Sequence, residues 1–167
     1  SFKMQFYSHQ YLKRKENLVI LLLVLFSAVV RIPIILIYGD SHLENEWNIL
    51  VNNLINHGTL ALKNFDGFLL PNLWMPPLYA YYIYLFSFLN IENQSFILLI
   101  LSSQIILASL SVGFFYKINK NFFSEKISLF ASLVFSLFPL YLYACSQISS
   151  ISLHIFLAIL FYYYFLK

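Results

Sequence analysis

Long apolar runs separated by short polar clusters set the pattern of this chain. Four runs, at residues 18–38, 95–116, 127–146 and 151–166, are long or nearly long enough to cross a bilayer at about 20 residues each. A fifth, at 77–89, is about 13 residues, roughly 20 Å as a helix, and falls short of a hydrocarbon core of about 30 Å. Between the first two long runs the periodicity changes. Trp47, Leu50, Val51, Leu54 and Ile55 recur at i, i+3, i+4, i+7 and i+8, one apolar face of a helix. Asn48, Asn52, Asn53 and Asn56 cover the other face, and Gly58 supplies a C-terminal stop. Ser41 followed by Glu44 is a capping-box signature for the start of that helix.

Composition places the chain in the membrane class. Hydrophobic residues make up 60% of its 167 positions and charged residues 10%, against about 25% charged in a soluble domain. Mean hydropathy is +0.75. The net charge of +3 comes from short basic clusters between apolar runs, which is not a nucleic-acid footprint. One cysteine, Cys145, excludes an internal disulfide framework.

Charge also orients the spans. Lys13-Arg14-Lys15 ahead of the first run puts the N-terminus in the cytoplasm by the positive-inside rule. If 77–89 crossed the membrane, Lys117, Lys120 and Lys126 would fall outside, against that rule. If it instead lies along the outer face, those lysines are cytoplasmic. Length and charge therefore agree on an all-α polytopic protein with about four transmembrane helices and two external juxtamembrane helices. Asp40, Glu44, Glu46 and Asp66 are then external, and so is the polar stretch 146–152.

Three of the chain's 7 acids, Asp40, Glu44 and Glu46, cluster at one membrane boundary. Carboxylates beside hydrocarbon are costly, so such a cluster is a candidate site. An external acid held between a span and two flat helices suits a general base acting on an acceptor at the membrane surface. Asp40 also fits a bland role, capping or solvating the span end, and Glu44 fits the capping box. His42, Glu44, Glu46 and His57 are candidate metal ligands, but their spacing turns Glu44 away from His42 and Glu46, so no metal or other cofactor is expected. Arg31, near the external end of the first run, can pair with a lipid phosphate or Asp40, or snorkel to the interface.

Several motifs resemble the glycosyltransferase C-type fold, and most closely the bacterial members of the dolichyl-phosphate-mannose-protein mannosyltransferase superfamily, which includes lipid A aminoarabinose transferases. They are Arg31-Ile32-Pro33; Gly39-Asp40 with Glu46-Trp47; Asn53-Leu54 and Gly58; Met75-Pro76-Pro77-Leu78-Tyr79; and the basic loop 117–126. The resemblance implies an inverting membrane glycosyltransferase. It would take a sugar from a polyprenyl-phosphate donor to a lipid, glycan or protein acceptor on the external face of a bacterial inner membrane. It implies Asp40 and Glu46 as catalytic acids, with Arg31, Glu44, Tyr79 and Gln147 as substrate-binding residues. It also implies that the chain is the N-terminal part of a larger enzyme. The stretch Ser146-Gln147-Ile148-Ser149-Ser150-Ile151-Ser152 departs from the family by lacking a second acid. A non-catalytic lipid-binding or scaffold relative is the competing reading. A small transporter ranks last, because the spans hold few ionisable or unwound segments.

Overall fold

The computed structural model describes residues 2–43, 45–65, 68–71, 74–89 and 91–167. Helices dominate: α1 (Phe2–Tyr38), α2 (Asn45–His57), α3 (Pro77–Ser87), α4 (Asn93–Lys120), α5 (Glu125–Ser136), α6 (Pro139–Ser146) and α7 (Ile151–Phe165). A two-stranded antiparallel ribbon, β1 (Ala61–Phe65) and β2 (Phe68–Pro71), follows α2.

α1 and α4 form the axis. Within α1, Arg14–Tyr38 is long and apolar enough to cross a membrane, and so is all of α4. They run antiparallel. A Cβ on Gly113, late in α4, would lie 3.0 Å from Val24 and 3.2 Å from Ile20, both early in the apolar part of α1. At the same end Lys120 pairs with Glu16 at 3.5 Å, and Lys15 with Glu125 at 3.3 Å. The tail of α4, the head of α5 and the basic start of α1 therefore share one end of the bundle. It follows that the segment between α1 and α4 starts and ends at the opposite end of the bundle, and its α3 is only 11 residues long.

The amphipathic helix forms where the periodicity predicts. Leu50, Val51 and Leu54 are buried, Trp47 is half-buried and Ile55 stays exposed. Gly58 ends α2 with a left-handed φ of 67°, which only glycine adopts without strain, and its N–H closes on the Leu54 carbonyl at 3.0 Å. The start differs from expectation. Residues 41–43 lie outside the helix, so Ser41 is not its N-cap, and the Ser41 hydroxyl contacts His42 Nδ1 instead. Asn53, on the polar face, turns inward and donates to the Ala61 carbonyl at 2.7 Å, tying α2 to the ribbon.

Two sequence expectations need correction. The chain is not wholly α, because the β1–β2 ribbon is present. The run 127–146 is two helices bent by 48°, not one. Pro139 cannot supply the N–H that a continuous helix needs, and it pushes Phe138 out of the helical region to φ −61°, ψ 118°. The last run forms a helix of 15 residues, close to the expected 151–166. Among the described residues two helices are thus long and apolar enough to cross a membrane, or three if the bent α5–α6 pair is one span.

Small residues let the helices approach. Ser128, Ser132 and Ser136 repeat every four residues down the buried face of α5. Ser128 and Ser132 satisfy their hydroxyls on carbonyls one turn back, at 3.0 and 2.7 Å. The largest apolar cluster lies at the Asp40 end, where Val51, Tyr79, Ile83, Ile97, Ile100, Leu101, Ile148 and Leu153 join α2, α3, α4 and α7.

Candidate functional site

Asp40 lies two residues past the end of α1 and is half-buried against the turn between α6 and α7. Its backbone N–H donates to the Ser146 carbonyl at 3.1 Å, and its Oδ2 accepts the Ile148 N–H at 2.7 Å. The loop after α1 and the α6–α7 turn are thus held together twice by one residue. Gln147 adds a third tie, donating from Nε2 to the Tyr38 carbonyl at 2.7 Å and to Ser146 Oγ at 3.3 Å. Charge and length placed Asp40 and 146–152 on one side of the membrane, and the fold brings them into contact.

Behind this junction lies Gln104, which sequence reasoning missed. It sits mid-way along α4 with 0% exposure and uses both ends of its amide. Nε2 donates to the Gln147 carbonyl at 2.8 Å and to the Cys145 carbonyl at 3.3 Å, while Oε1 accepts the Tyr79 hydroxyl at 2.6 Å. One amide therefore links α3, α4 and the α6–α7 turn. Its signal was available: a lone glutamine inside an apolar span is costly unless its partners are inside too.

Tyr79 is fully buried, edge-on to Trp47 at 4.7 Å and stacked on Tyr82 at 5.6 Å. Burial pushes its phenol far above the ordinary value, with Tyr82 and the negative charge of Asp40 adding to the effect. Burial also raises Tyr82, against the opposing hydrogen bond from Ser103. Tyr79 is therefore a neutral donor, fixed on Gln104.

The remaining sequence candidates lie apart. Glu46 is exposed in the first turn of α2, where an acid complements the helix dipole. Glu44 lies outside the described residues, as does Asp66. Arg31 is 0% exposed and neither pairs with Asp40 nor reaches the surface. Its Nη1 donates back one turn to the Ser27 carbonyl at 3.0 Å and to Ser27 Oγ, and its guanidinium lies over the Tyr141 ring at 5.0 Å. Nε and Nη2 have no hydrogen-bond partner among the described residues. Those residues also bring together no group of three or more His, Cys, Asp or Glu placed to hold a metal ion.

Next to Asp40 opens a cleft of about 1010 Å³ between the 41–43 loop, α2, α3 and the start of α4. Ser41 and His42, the two residues after Asp40 in the chain, line it; Asn48 and Asn52 come from α2, and Asn93 and Gln94 from α4. The architecture is that of a helical membrane protein with a polar cleft at one end of the bundle. Comparison with known protein families, with curated proteins and with solved structures gave no match.

Proposed function

We propose that this chain is part of a membrane glycosyltransferase that moves a sugar from a polyprenyl-phosphate donor to an acceptor on the external face, with Asp40 as general base. In the reaction the acceptor O–H gives its proton to Asp40 Oδ1 while its oxygen bonds to the anomeric carbon. The bond from that carbon to the phosphate oxygen breaks, and polyprenyl phosphate leaves with the electron pair. The observation that carries this reading is the setting of Asp40. Its Oδ2 is held by the Ile148 N–H, the buried Tyr79–Gln104 pair stands behind it, and a polar cleft opens one residue away. A carboxylate so fixed keeps its orientation without spending binding energy on ordering it. Tyr79 and Gln147 support the junction in this reading. Glu46, in the first turn of α2, is the alternative acid.

The wider reading keeps four spans, with α5–α6 as one broken span and α7 as a short one, in a bacterial inner membrane with the N-terminus cytoplasmic. Its motifs, above all Met75-Pro76-Pro77-Leu78-Tyr79, support membership of the mannosyltransferase superfamily and an origin in the N-terminal part of a larger enzyme.

The clamp on Asp40 also favours a second reading, a non-catalytic relative in which Asp40 only ties two loops together. One experiment separates them. Sugar transfer from a polyprenyl-phosphate donor is measured in membranes holding the protein expressed from its full reading frame. The enzyme reading expects Asp40→Asn to lower transfer by about 10²–10⁴ at normal abundance. Full activity in Asp40→Asn removes Asp40 as the base, and loss in Glu46→Gln alone moves the role to Glu46.

A further inference from the structure

The cleft beside Asp40 has a definite chemistry. Among its described lining residues there is no lysine, arginine, aspartate or glutamate, and His42 is the one titratable side chain. Amides dominate its polar wall. Asn52 Nδ2 donates to Asn48 Oδ1 at 2.7 Å, which orients both side chains and leaves the Asn48 N–H pair as donors and Asn52 Oδ1 as an acceptor. Asn93 and Gln94, exposed in the first turn of α4, contribute two further amides. Phe86 and Phe96 are half-buried in the apolar part of the lining.

From this arrangement we infer that the cleft binds a neutral polyhydroxylated ligand, a sugar residue without phosphate or carboxylate. Paired donors and acceptors on uncharged amides match vicinal hydroxyls, which both give and take hydrogen bonds. Apolar and aromatic side chains beside them suit the C–H faces of a pyranose, the usual division of labour in a ligand site of roughly 300–1,000 Å³. An anionic ligand would find no lysine or arginine among these residues to offset its lost hydration. The lipid phosphate of a donor therefore lies elsewhere, and the cleft takes the acceptor. Ser41 and His42, which line the cleft, directly follow Asp40 in the chain, so the proposed base stands one residue from the cleft lining. As an acceptor site this inference rests on the sugar-transfer reading. As a binding site it is tested without it.

The test is ligand-observed saturation-transfer NMR on the chain in lipid nanodiscs, with methyl α-mannoside, methyl β-glucoside and methyl β-galactoside as probes and glucose 1-phosphate as the anionic control. At least one neutral glycoside should receive saturation, and glucose 1-phosphate should not displace it. Asn52→Leu and Gln94→Leu each change an exposed position to a good helix former, and each should weaken binding about tenfold, the loss of one or two hydrogen bonds. No signal from any neutral probe, displacement by glucose 1-phosphate, or unchanged binding in both variants overturns the inference. A folded variant is verified by its circular dichroism, and if either variant unfolds, Asn93→Ala replaces it with the same expectation. Glycoside binding without transfer activity sinks the enzyme reading and leaves the cleft assignment standing. Transfer activity without glycoside binding does the reverse.

Discussion

Asp40 Oδ2 accepts the backbone N–H of Ile148, 108 residues further along the chain, at 2.7 Å. The bond joins the loop after α1 to the turn between α6 and α7. A carboxylate in this position has two separable jobs, holding a loop and accepting a proton, and substitutions can tell them apart.

Asparagine keeps an oxygen that can accept the Ile148 N–H, whereas alanine keeps none. Asp40→Asn should therefore unfold at nearly the wild-type temperature in detergent. Asp40→Ala should lose about 1–3 kcal/mol, the cost of leaving that donor unpaired. Equal losses in the two variants would mean that charge, not the hydrogen bond, holds the junction.

Gln104→Leu fits the apolar surroundings but orphans the Tyr79 hydroxyl and leaves the carbonyls of Cys145 and Gln147 without their side-chain donor. The expected loss is about 1–3 kcal/mol for each buried group left unsatisfied. Thermal unfolding followed by circular dichroism measures it. A stabilised Gln104→Leu would show that the amide costs more to bury than its three bonds return.

The pH dependence follows from the sign of the Tyr79 shift. Its phenol is raised in the folded state above the ordinary value of 10.0, so the stability it contributes is complete below that value. It is lost as pH climbs from there toward the folded value. Tyr79→Phe should be less stable at neutral pH, because Gln104 Oε1 loses its donor, yet should decline less steeply between roughly pH 10 and 11. Melting temperatures across that range test both halves. Tyr82, also raised, keeps part of the alkaline decline in the variant.

The α1–α4 crossing depends on the space at Gly113. An added Cβ meets Val24 at 3.0 Å, so Gly113→Ala forces a small shift of a flexible side chain, while Gly113→Leu must part the helices. Overpacking of this kind costs about 1–3 kcal/mol. Leucine should lower the melting temperature clearly more than alanine, and equal effects would place the helices further apart than 3.0 Å implies.

Orientation is open to labelling. In a Cys145→Ala background, single cysteines at Asn64 and Ser149 should react with an impermeant maleimide from outside intact cells. One at Asn119 should react only after permeabilisation. Labelling of Asn119 in intact cells would invert the positive-inside assignment.

Local patterns were readable in the sequence and non-local ones were not. The apolar face of α2 and its stop at Gly58 come from spacing and backbone chemistry within one helix, and both formed as expected. The common end shared by Asp40 and 146–148 followed from counting spans and lysines. The break at Pro139 and the ribbon had local signals that were passed over: a proline inside the third run, and Asp66-Gly67 between Phe65 and Phe68, a dipeptide favoured in two-residue hairpins. Gln104 and Arg31 belong to another category. The partners of Gln104 are 25, 41 and 43 residues away, and no periodicity encodes such distances. Nor does it encode that the Arg31 guanidinium would lie against Tyr141, on a helix that the third run seemed to continue through.

That arginine bears on how the protein is made. Alone in lipid, α1 would carry a guanidinium about two turns from its end, and such a charge raises the insertion free energy by up to roughly 2.5–3.5 kcal/mol. Ser27, one turn back, meets only one of its nitrogens, and the Tyr141 ring that covers it is synthesised 110 residues later. Until α6 arrives, α1 has reason to stay near the translocon or near water, and its final seating in the bilayer is coupled to assembly of the helices that follow.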